Sequence, residues 1–189
     1  MAIKTFTSGE VLTAADTNAY LNNGGLVYIT QATATTVNAL SINNCFTSTY
    51  QNYRIIINQS AMSGNFAMGI RFRVGGADDT TANTQYMANS STAAGGSSVL
   101  SGANQDQLVL GFVGSASPNA GSSIDVFSPQ EAARTWGTTL RYEYDSANYV
   151  SRSGSFVKDE VTSYDGFSLF AGGAATFSGK VYVYGYRNS

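Results

Sequence analysis

The chain has 189 residues, of which 12% are charged and 43% are hydrophobic, and its formal net charge at pH 7 is -2. A typical soluble domain has about 25% charged residues, so this chain depends on neutral polar side chains for its solubility. It has no basic stripe that would neutralise phosphates and no secretory signal pattern, and its apolar runs fall far short of the ~20 residues that cross a bilayer. The sequence therefore predicts neither nucleic acid binding nor membrane insertion.

Residues 1–24 differ in kind from the rest of the chain. Thr13 is placed to cap a helix over Ala14 to Asn22, and Asn23 and Gly24 would end it. A helix of two to three turns is not stable alone in water, so it must dock. Docking on its own domain and docking on a neighbouring subunit or larger assembly both remain open, and we favour the second.

We accordingly predict two parts, an N-terminal attachment arm with a short helix over residues 1–24 and a β-sandwich domain over residues 25–189. The arm would contact the assembly through its large apolar side chains, which are Val11, Leu12, Tyr20 and Leu21.

Alternation of apolar and polar residues predicts half-buried strands from residue 26 onward. The two clearest segments, Tyr53 to Gln59 and Phe66 to Val74, are predicted to form an antiparallel pair joined by a polar loop. The segment Lys180 to Arg187 would place valines on one face and tyrosines on the other. Thr135 to Asp145 also alternates, which predicts an inward face of Leu and Tyr and an outward charged face.

Three other segments carry distinct predictions. Gly75 to Ala103 is rich in Gly, Asp and Ser, which predicts loops that contact partners. Gln107 to Gly114 is apolar on both faces, which predicts a central strand. Glu131 to Arg134 predicts a single helical turn.

These segments together give nine or ten short strands without intervening helices, a pattern that excludes parallel βαβ units. The sequence therefore predicts an all-β protein, an antiparallel jelly-roll-like β-sandwich with a short N-terminal helical attachment segment. The Cys and Trp spacing of immunoglobulin domains is absent.

The residues needed for most catalytic and metal chemistry are missing from the sequence. There is no histidine, and Cys45 is the only cysteine, so histidine-dependent triads, histidine metal ligands and thiolate clusters are excluded. Cys45 is predicted to be a small buried apolar residue, and no cofactor or metal is expected.

Acidic pairs are the remaining enzymatic candidates, at Asp78 with Asp79 and at Asp159 with Glu160. They could serve a hydrolase, and Asp78 with Asp79 could bind calcium. Both pairs lie in polar, loop-like sequence typical of solvated charges, so we predict a protein that is not an enzyme.

Four aromatic residues fall in or beside predicted loops, namely Tyr86, Trp136, Tyr149 and Tyr164. Aromatic rings beside hydroxyl and amide groups suit sugar binding. The same rings could instead cover the ends of the sandwich or fill a subunit contact, and this second interpretation is favoured.

The opening segment IKTFTSGEVLTAADTNAYLNN resembles the N-termini of small tail and minor structural proteins of tailed bacteriophages, which include fibre and decoration proteins. The segment SINNCFTSTYQNYRIIIN with the MGIRFRVGG run, and the closing FSGKVYVYGYR, are similar to the β domain of the same proteins. The resemblance implies a virion component that forms a homotrimer and contacts other virion proteins. Such a component would be made in the host cytoplasm and exposed on the released particle. A host-glycan (receptor) binding module at a virion tip is the alternative.

Overall fold

A computed structural model describes residues 7–11, 13, 25–113, 119–144 and 148–187. The predicted helix over residues 14–22, and with it Leu12, Tyr20 and Leu21, lies outside the described residues. The described residues form thirteen strands and no helix, so they include no helix that could span a membrane. The strands are β1 (Leu26–Val37), β2 (Ala39–Ile42), β3 (Asn52–Met62), β4 (Phe66–Val74), β5 (Ala77–Asp78), β6 (Thr84–Thr92), β7 (Ser97–Gln105), β8 (Leu108–Val113), β9 (Ala120–Phe127), β10 (Thr135–Tyr144), β11 (Tyr149–Lys158), β12 (Gly166–Ala171) and β13 (Phe177–Tyr186).

The strands form two antiparallel sheets. The larger sheet has eight strands in the order β1-β13-β3-β9-β10-β11-β6-β7. The smaller sheet has five, in the order β2-β12-β4-β5, with β8 also paired to β4. The all-β, antiparallel class predicted from the sequence is confirmed, and the two sheets are consistent with a sandwich.

The two strands with the clearest alternation do not pair with each other, so that prediction is wrong. β3 pairs with β13 and β9 in the larger sheet, whereas β4 pairs with β12, β8 and β5 in the smaller one. Each strand has one strongly apolar face, with Ile55 in β3 and Ile70 in β4 both fully buried in one core cluster. The short link between the strands therefore crosses from one sheet to the other, and their apolar faces belong to the same core.

The core between the sheets is rich in aromatic rings. The Phe46 ring lies 5.8 Å from Phe167 in a stacked geometry and 4.8 Å from Tyr53, measured between centroids. Cys45 beside it is 1% exposed, as predicted for a small buried residue, and burial raises the pKa of its thiol to about 12. Fully burying a large apolar side chain contributes about 1.5–3 kcal/mol, so this core is the main source of stability.

Three further predictions are corrected. Residues 75–103, expected to be loops, contain β5 and the antiparallel pair of β6 and β7. Their strands carry mostly Ser, Thr, Gly and Ala, so the alternation of apolar residues is weak. Among the described residues β8 pairs with β4 alone, so it is an edge strand and not a central one. Residues 131–134 form bends and not a helical turn, and the Glu131 amide donates to the Ser128 carbonyl at 3.2 Å.

Candidate functional site

The outer face of the larger sheet exposes an unusual number of large apolar side chains. On β10, Trp136, Leu140 and Tyr142 are each more than half exposed, and Met87 on β6 and Val99 on β7 are likewise exposed. Between them lie the serines of β11, whose cross-strand partners on β10 are these same residues or Thr138. This outer face is therefore broad, largely uncharged and accessible.

The orientation of β10 is the reverse of the sequence prediction. Leu140 and Tyr142 face outward, while Arg141 and Glu143 face inward and are 1% and 0% exposed. The alternation was recognised correctly, but the charged face is the buried one. It is tolerated because its charges are paired and hydrogen-bonded, as a buried charge requires.

The buried charges of β10 form a cluster with the neighbouring strands. Glu143 accepts from the Nε atoms of both Arg141 and Arg152, the second at 2.7 Å. Arg141 also donates through Nη1 to Ser122 Oγ at 2.7 Å and through Nη2 to Gln59 Oε1 at 3.2 Å. Burial lowers the pKa of Arg141 from its ordinary value, and the charge of Glu143 opposes that effect. We call these residues the arginine cluster.

Strand β8 lies directly over the arginine cluster at Gly111. A Cβ at this position would lie 2.8 Å from Glu143 Oε2 and 3.0 Å from Arg152 Nε. The backbone of Gly111 also has a φ of +154°, which L side chains rarely adopt. A glycine is therefore needed for β8 to cover the cluster.

A second group of buried polar side chains contains two of the acids and one of the tyrosines singled out in the sequence. Tyr164, predicted to be exposed, is 0% exposed, and its hydroxyl hydrogen-bonds with Asp79 at 2.9 Å and with Glu160. Lys158, 2% exposed, lies 3.0 Å from Asp79. Burial raises the pKa of Asp79, but hydrogen bonding, with Glu160, Thr81 and Lys158 as the partners, outweighs it and holds that pKa below its ordinary value.

Tyr164 is consequently a buried hydrogen-bonding residue and not a surface aromatic. Burial, followed by the hydrogen bonds to Glu160 and Asp79, raises the pKa of its hydroxyl well above the ordinary range. Its ring lies 5.1 Å from that of Phe72. The prediction that Tyr164 lies in a loop is correct, but the sequence gave no indication that this loop folds back onto the core.

The other acids considered for catalysis or calcium binding are also in ion pairs. Asp78 binds the Arg73 guanidinium and accepts from Ser168 Oγ at 2.7 Å, and Asp159 pairs with Arg134. In the described part of the chain, no three His, Cys, Asp or Glu side chains are grouped so that they could hold a metal ion. These pairings occupy the carboxylates that the hydrolase and calcium hypotheses would use.

A shallow groove of about 810 Å³ crosses the outer face of the larger sheet. One wall is the cross-strand row Trp136, Val157 and Gln85, and the other is the row Thr138, Ser155, Met87 and Ser101. The floor is the backbone of the row between them, to which Phe156 and Tyr86 belong. We call this feature the cross-strand groove.

The structure brings two of the predicted aromatic residues to the cross-strand groove, but only Trp136 offers its ring. Tyr86 contributes to the floor, and its ring lies over Gly102, within 2.6 Å of where a Cβ would be. Tyr149 lies elsewhere on the outer face and stacks on Tyr142 with a centroid distance of 5.9 Å. Val11 of the predicted arm is 80% exposed.

Sequence reasoning missed Gln85, Met87 and Ser155 as groove residues. The first two were assigned to a loop, and the serine strand β11 had too few apolar residues to suggest a site. A usable signal was present, because Gln85, Met87 and Asn89 recur at the two-residue spacing that places side chains on one face of a strand.

The two outermost strands of the larger sheet form a separate feature. β1 pairs only with β13, and β7 only with β6, so among the described residues each leaves one side without a strand partner. Neither strand contains a charged residue or a proline. We call them the open edges.

Comparison with known proteins gives little further information. No protein family and no curated protein matches the chain. Among solved structures, a fructofuranosidase from Schwanniomyces occidentalis complexed with fructosylnystose is similar at 7% identity and a TM-score of 0.24, covering 88% of this chain. The chain spans 34% of that protein's length. A likeness this low carries no argument about fold or activity.

Proposed function

We propose that this protein is a non-enzymatic structural component of a tailed phage virion, serving as a tail or fibre component or as a capsid decoration. Residues 1–24 would anchor it to other virion proteins, and the β-sandwich would be displayed on the released particle. The resemblance of the N-terminal segment and of the first and last strands to phage structural proteins supports the virion assignment. The open edges support assembly with further copies, and they are the structural observation that carries the proposal.

We also infer that the sandwich is a jelly roll, and the strand pairing supports this finer description. Eight strands pair as one long hairpin folded over itself, with β1 on β13, β2 on β12, β3 on β9 and β4 on β8. Successive strands of that hairpin are divided between the two sheets, as in a jelly roll. The remaining strands extend this framework, with β6, β7, β10 and β11 widening the larger sheet and β5 joining the smaller one.

The direction of the open edges suits pairing between copies. All neighbouring strands of the larger sheet are antiparallel and the sheet has eight strands, so β1 and β7 run in opposite directions. A second copy set beside the first in the same orientation would therefore present its β1 antiparallel to β7 of the first. The sheet would continue from one copy to the next without a change in pairing pattern.

The composition of the open edges gives no protection against such pairing. Proteins usually protect exposed edges with lysine, proline or bulges. Here there are bulges, between Tyr28 and Thr30 and between Ala34 and Val37 in β1, but the register from Thr30 to Ala34 is regular. The register of β7 from Ser97 to Gly102 is regular as well. About five residues on each edge are thus free of irregularities, which is the length of an ordinary strand.

A contact between two different edges is head-to-tail, and such contacts either close into a ring or continue as a filament. The resemblance to phage structural proteins implies a homotrimer, which contacts of this kind would form by closing into a ring. We therefore expect sedimentation of the full chain at micromolar concentration to give a homotrimer. A stable monomer under these conditions would contradict the proposed assembly.

Lysines on the open edges test how the copies join. Thr33→Lys in β1 combined with Val99→Lys in β7 puts a charge on two exposed edge positions, and the variant is expected to sediment as a monomer. Val161→Lys, at a position 68% exposed and outside both edges, is the matched control and should remain a trimer. A trimer that persists in the double variant would show that the edges are not the contact.

The virion assignment needs its own test. An antibody raised against the sandwich is expected to label particles of the phage that encodes this chain, in electron micrographs of purified virions. The position of the label would distinguish tail, fibre and capsid. Purified particles that bind no antibody and contain none of the protein would contradict the assignment, whatever the oligomeric state.

A further inference from the structure

The cross-strand groove has the dimensions of a ligand site. Residues two positions apart on a strand are about 7 Å apart, which sets the separation of its walls, and four adjacent strands span about 14 Å. Its volume of about 810 Å³ lies within the range of small-molecule sites, about 300–1,000 Å³. It is open along its length, so an extended ligand could lie in it and continue beyond either end.

The chemistry of the groove walls defines what could bind. The side chains on the walls include an indole and a thioether, which are apolar, together with hydroxyl and amide groups that both donate and accept hydrogen bonds. None of these wall side chains carries a charge. A ligand that matches them is uncharged, has an apolar face and carries many hydroxyl groups.

Trp136 is held in position before any ligand arrives. Its ring lies 4.8 Å from that of Phe127, its cross-strand partner on β9, at an interplanar angle of 47°. The side chain is nevertheless 55% exposed. Aromatic pairs of this kind add to the energy of apolar burial, so the indole is a rigid and accessible platform.

We propose that the cross-strand groove binds a neutral carbohydrate, with the C–H face of a sugar ring on Trp136. Met87 extends the apolar contact along the opposite wall. Gln85, Thr138 and Ser155 provide hydrogen bonds to the sugar hydroxyls. Phosphorylated and acidic glycans do not fit, because no cation on the groove walls would offset the loss of water around their charge.

This site is independent of the assembly proposed above. One groove wall ends at Ser101 of β7, but the site uses side chains on the face of the larger sheet, whereas pairing between copies would use the backbone of the open edges. Binding and oligomeric state can therefore be measured separately, and failure of one proposal leaves the other standing.

The sequence contains a single tryptophan, so tryptophan fluorescence, excited selectively over that of the tyrosines, reports directly on the groove. The full chain is titrated with a panel of neutral oligosaccharides made of glucose, galactose, mannose or N-acetylglucosamine, and with oligogalacturonate as an acidic control. At least one neutral oligosaccharide is expected to give a saturable change in Trp136 fluorescence. The proposal is overturned if none does so, or if only the acidic oligosaccharide binds.

Two substitutions on the same strand locate the binding. Ser155→Glu puts a charge into the groove at an exposed position and is expected to weaken binding at least tenfold, measured by calorimetry. Ser151→Glu puts the same charge on the same face of β11 outside the groove, and its affinity should equal that of the wild type. Equal losses in both variants would overturn the assignment of the groove.

Replacing the aromatic platform gives an independent measurement. Trp136→Ala is expected to abolish detectable binding in calorimetry, and Trp136→Phe to retain part of it because a smaller ring still stacks. Thermal unfolding of both variants should match the wild type within a few degrees, since the side chain is exposed. Unchanged affinity in Trp136→Ala would overturn the proposal.

Discussion

Replacing Glu143 by glutamine tests whether the arginine cluster is held together by charge. The substitution keeps the shape of the side chain but removes the carboxylate that, among the described residues, accepts from both Arg141 and Arg152. Arg141 is 1% exposed and Arg152 is 8% exposed, so two guanidinium groups would remain buried without a counter-charge. We expect Glu143→Gln to be among the most destabilising single polar substitutions in this protein.

The size of the effect follows from burial. Removing one partner of a buried ion pair costs about 3–5 kcal/mol, because the remaining charge stays away from water. For a chain of this length, each kcal/mol lowers the melting temperature by about 2–4 °C. We therefore expect a loss of about 3–5 kcal/mol in the free energy of unfolding and a melting temperature lower by about 10 °C.

The assay is urea unfolding monitored by circular dichroism. The dependence of the unfolding free energy on urea concentration is compared between the proteins to confirm that it has not changed. Asp159→Asn is the matched control, since it removes a carboxylate from the exposed pair with Arg134, whose attraction water screens. A loss below about 1 kcal/mol in Glu143→Gln, equal to that of the control, would refute the view that Glu143 holds the cluster together.

Three further predictions concern other parts of the sandwich. Burial raises the pKa of Asp125, but the hydrogen bonds from Arg54 and Tyr186 hold that pKa below its ordinary value. The ionised carboxylate therefore stabilises the fold at neutral pH, and this stabilisation is lost as the pH falls below about 4. The melting temperatures of the wild type and of Asp125→Asn should converge at that low pH. Gly137→Ala puts a Cβ 2.8 Å from the Phe156 ring and still closer to the Asp125 carbonyl, and should lower the free energy of unfolding in urea by more than about 3 kcal/mol. The control Gly121→Ala places its Cβ where no atom lies within 4 Å, and should lower it by less than about 1 kcal/mol. The Cys45 thiol should not react with a disulfide reagent at pH 8 until urea unfolds the protein, and rapid reaction in the native state would contradict its burial.

Strand positions were predictable from the sequence wherever one face is strongly apolar. The alternation in β13 correctly predicted that Val181 and Val183 share one face, which the structure buries, and that the neighbouring tyrosines lie on the other. Such a pattern depends only on the two-residue period of a strand. It identifies an element well, but it says nothing about which other strand lies beside it.

The orientation of β10 shows what the pattern leaves out. Its buried face carries Arg141 and Glu143, whose partners Gln59, Ser122 and Arg152 come from β3, β9 and β11. No local rule connects residues so far apart in sequence. The stability of that face depends on tertiary partners, so the more apolar face was taken to be the inner one.

The candidate site could be predicted only in part for the same reason. Trp136 was recognised as a possible ligand contact from its chemistry alone. The groove around it exists because β6, β7, β10 and β11 lie side by side, with residues from positions 85 to 157 in one surface. A single sequence gives the members of such a surface but not their order across a sheet.

The open edges and the walls of the cross-strand groove are free of ionic groups, and this has a consequence for the environment in which the protein works. Dissolved salt weakens attractions between exposed charges, with a screening distance of about 10 Å at 0.1 M and about 3 Å at 1 M. Contacts built from backbone hydrogen bonds and stacked rings offer salt nothing to screen. We expect pairing between copies and binding in the cross-strand groove to be equally strong in dilute and in concentrated salt.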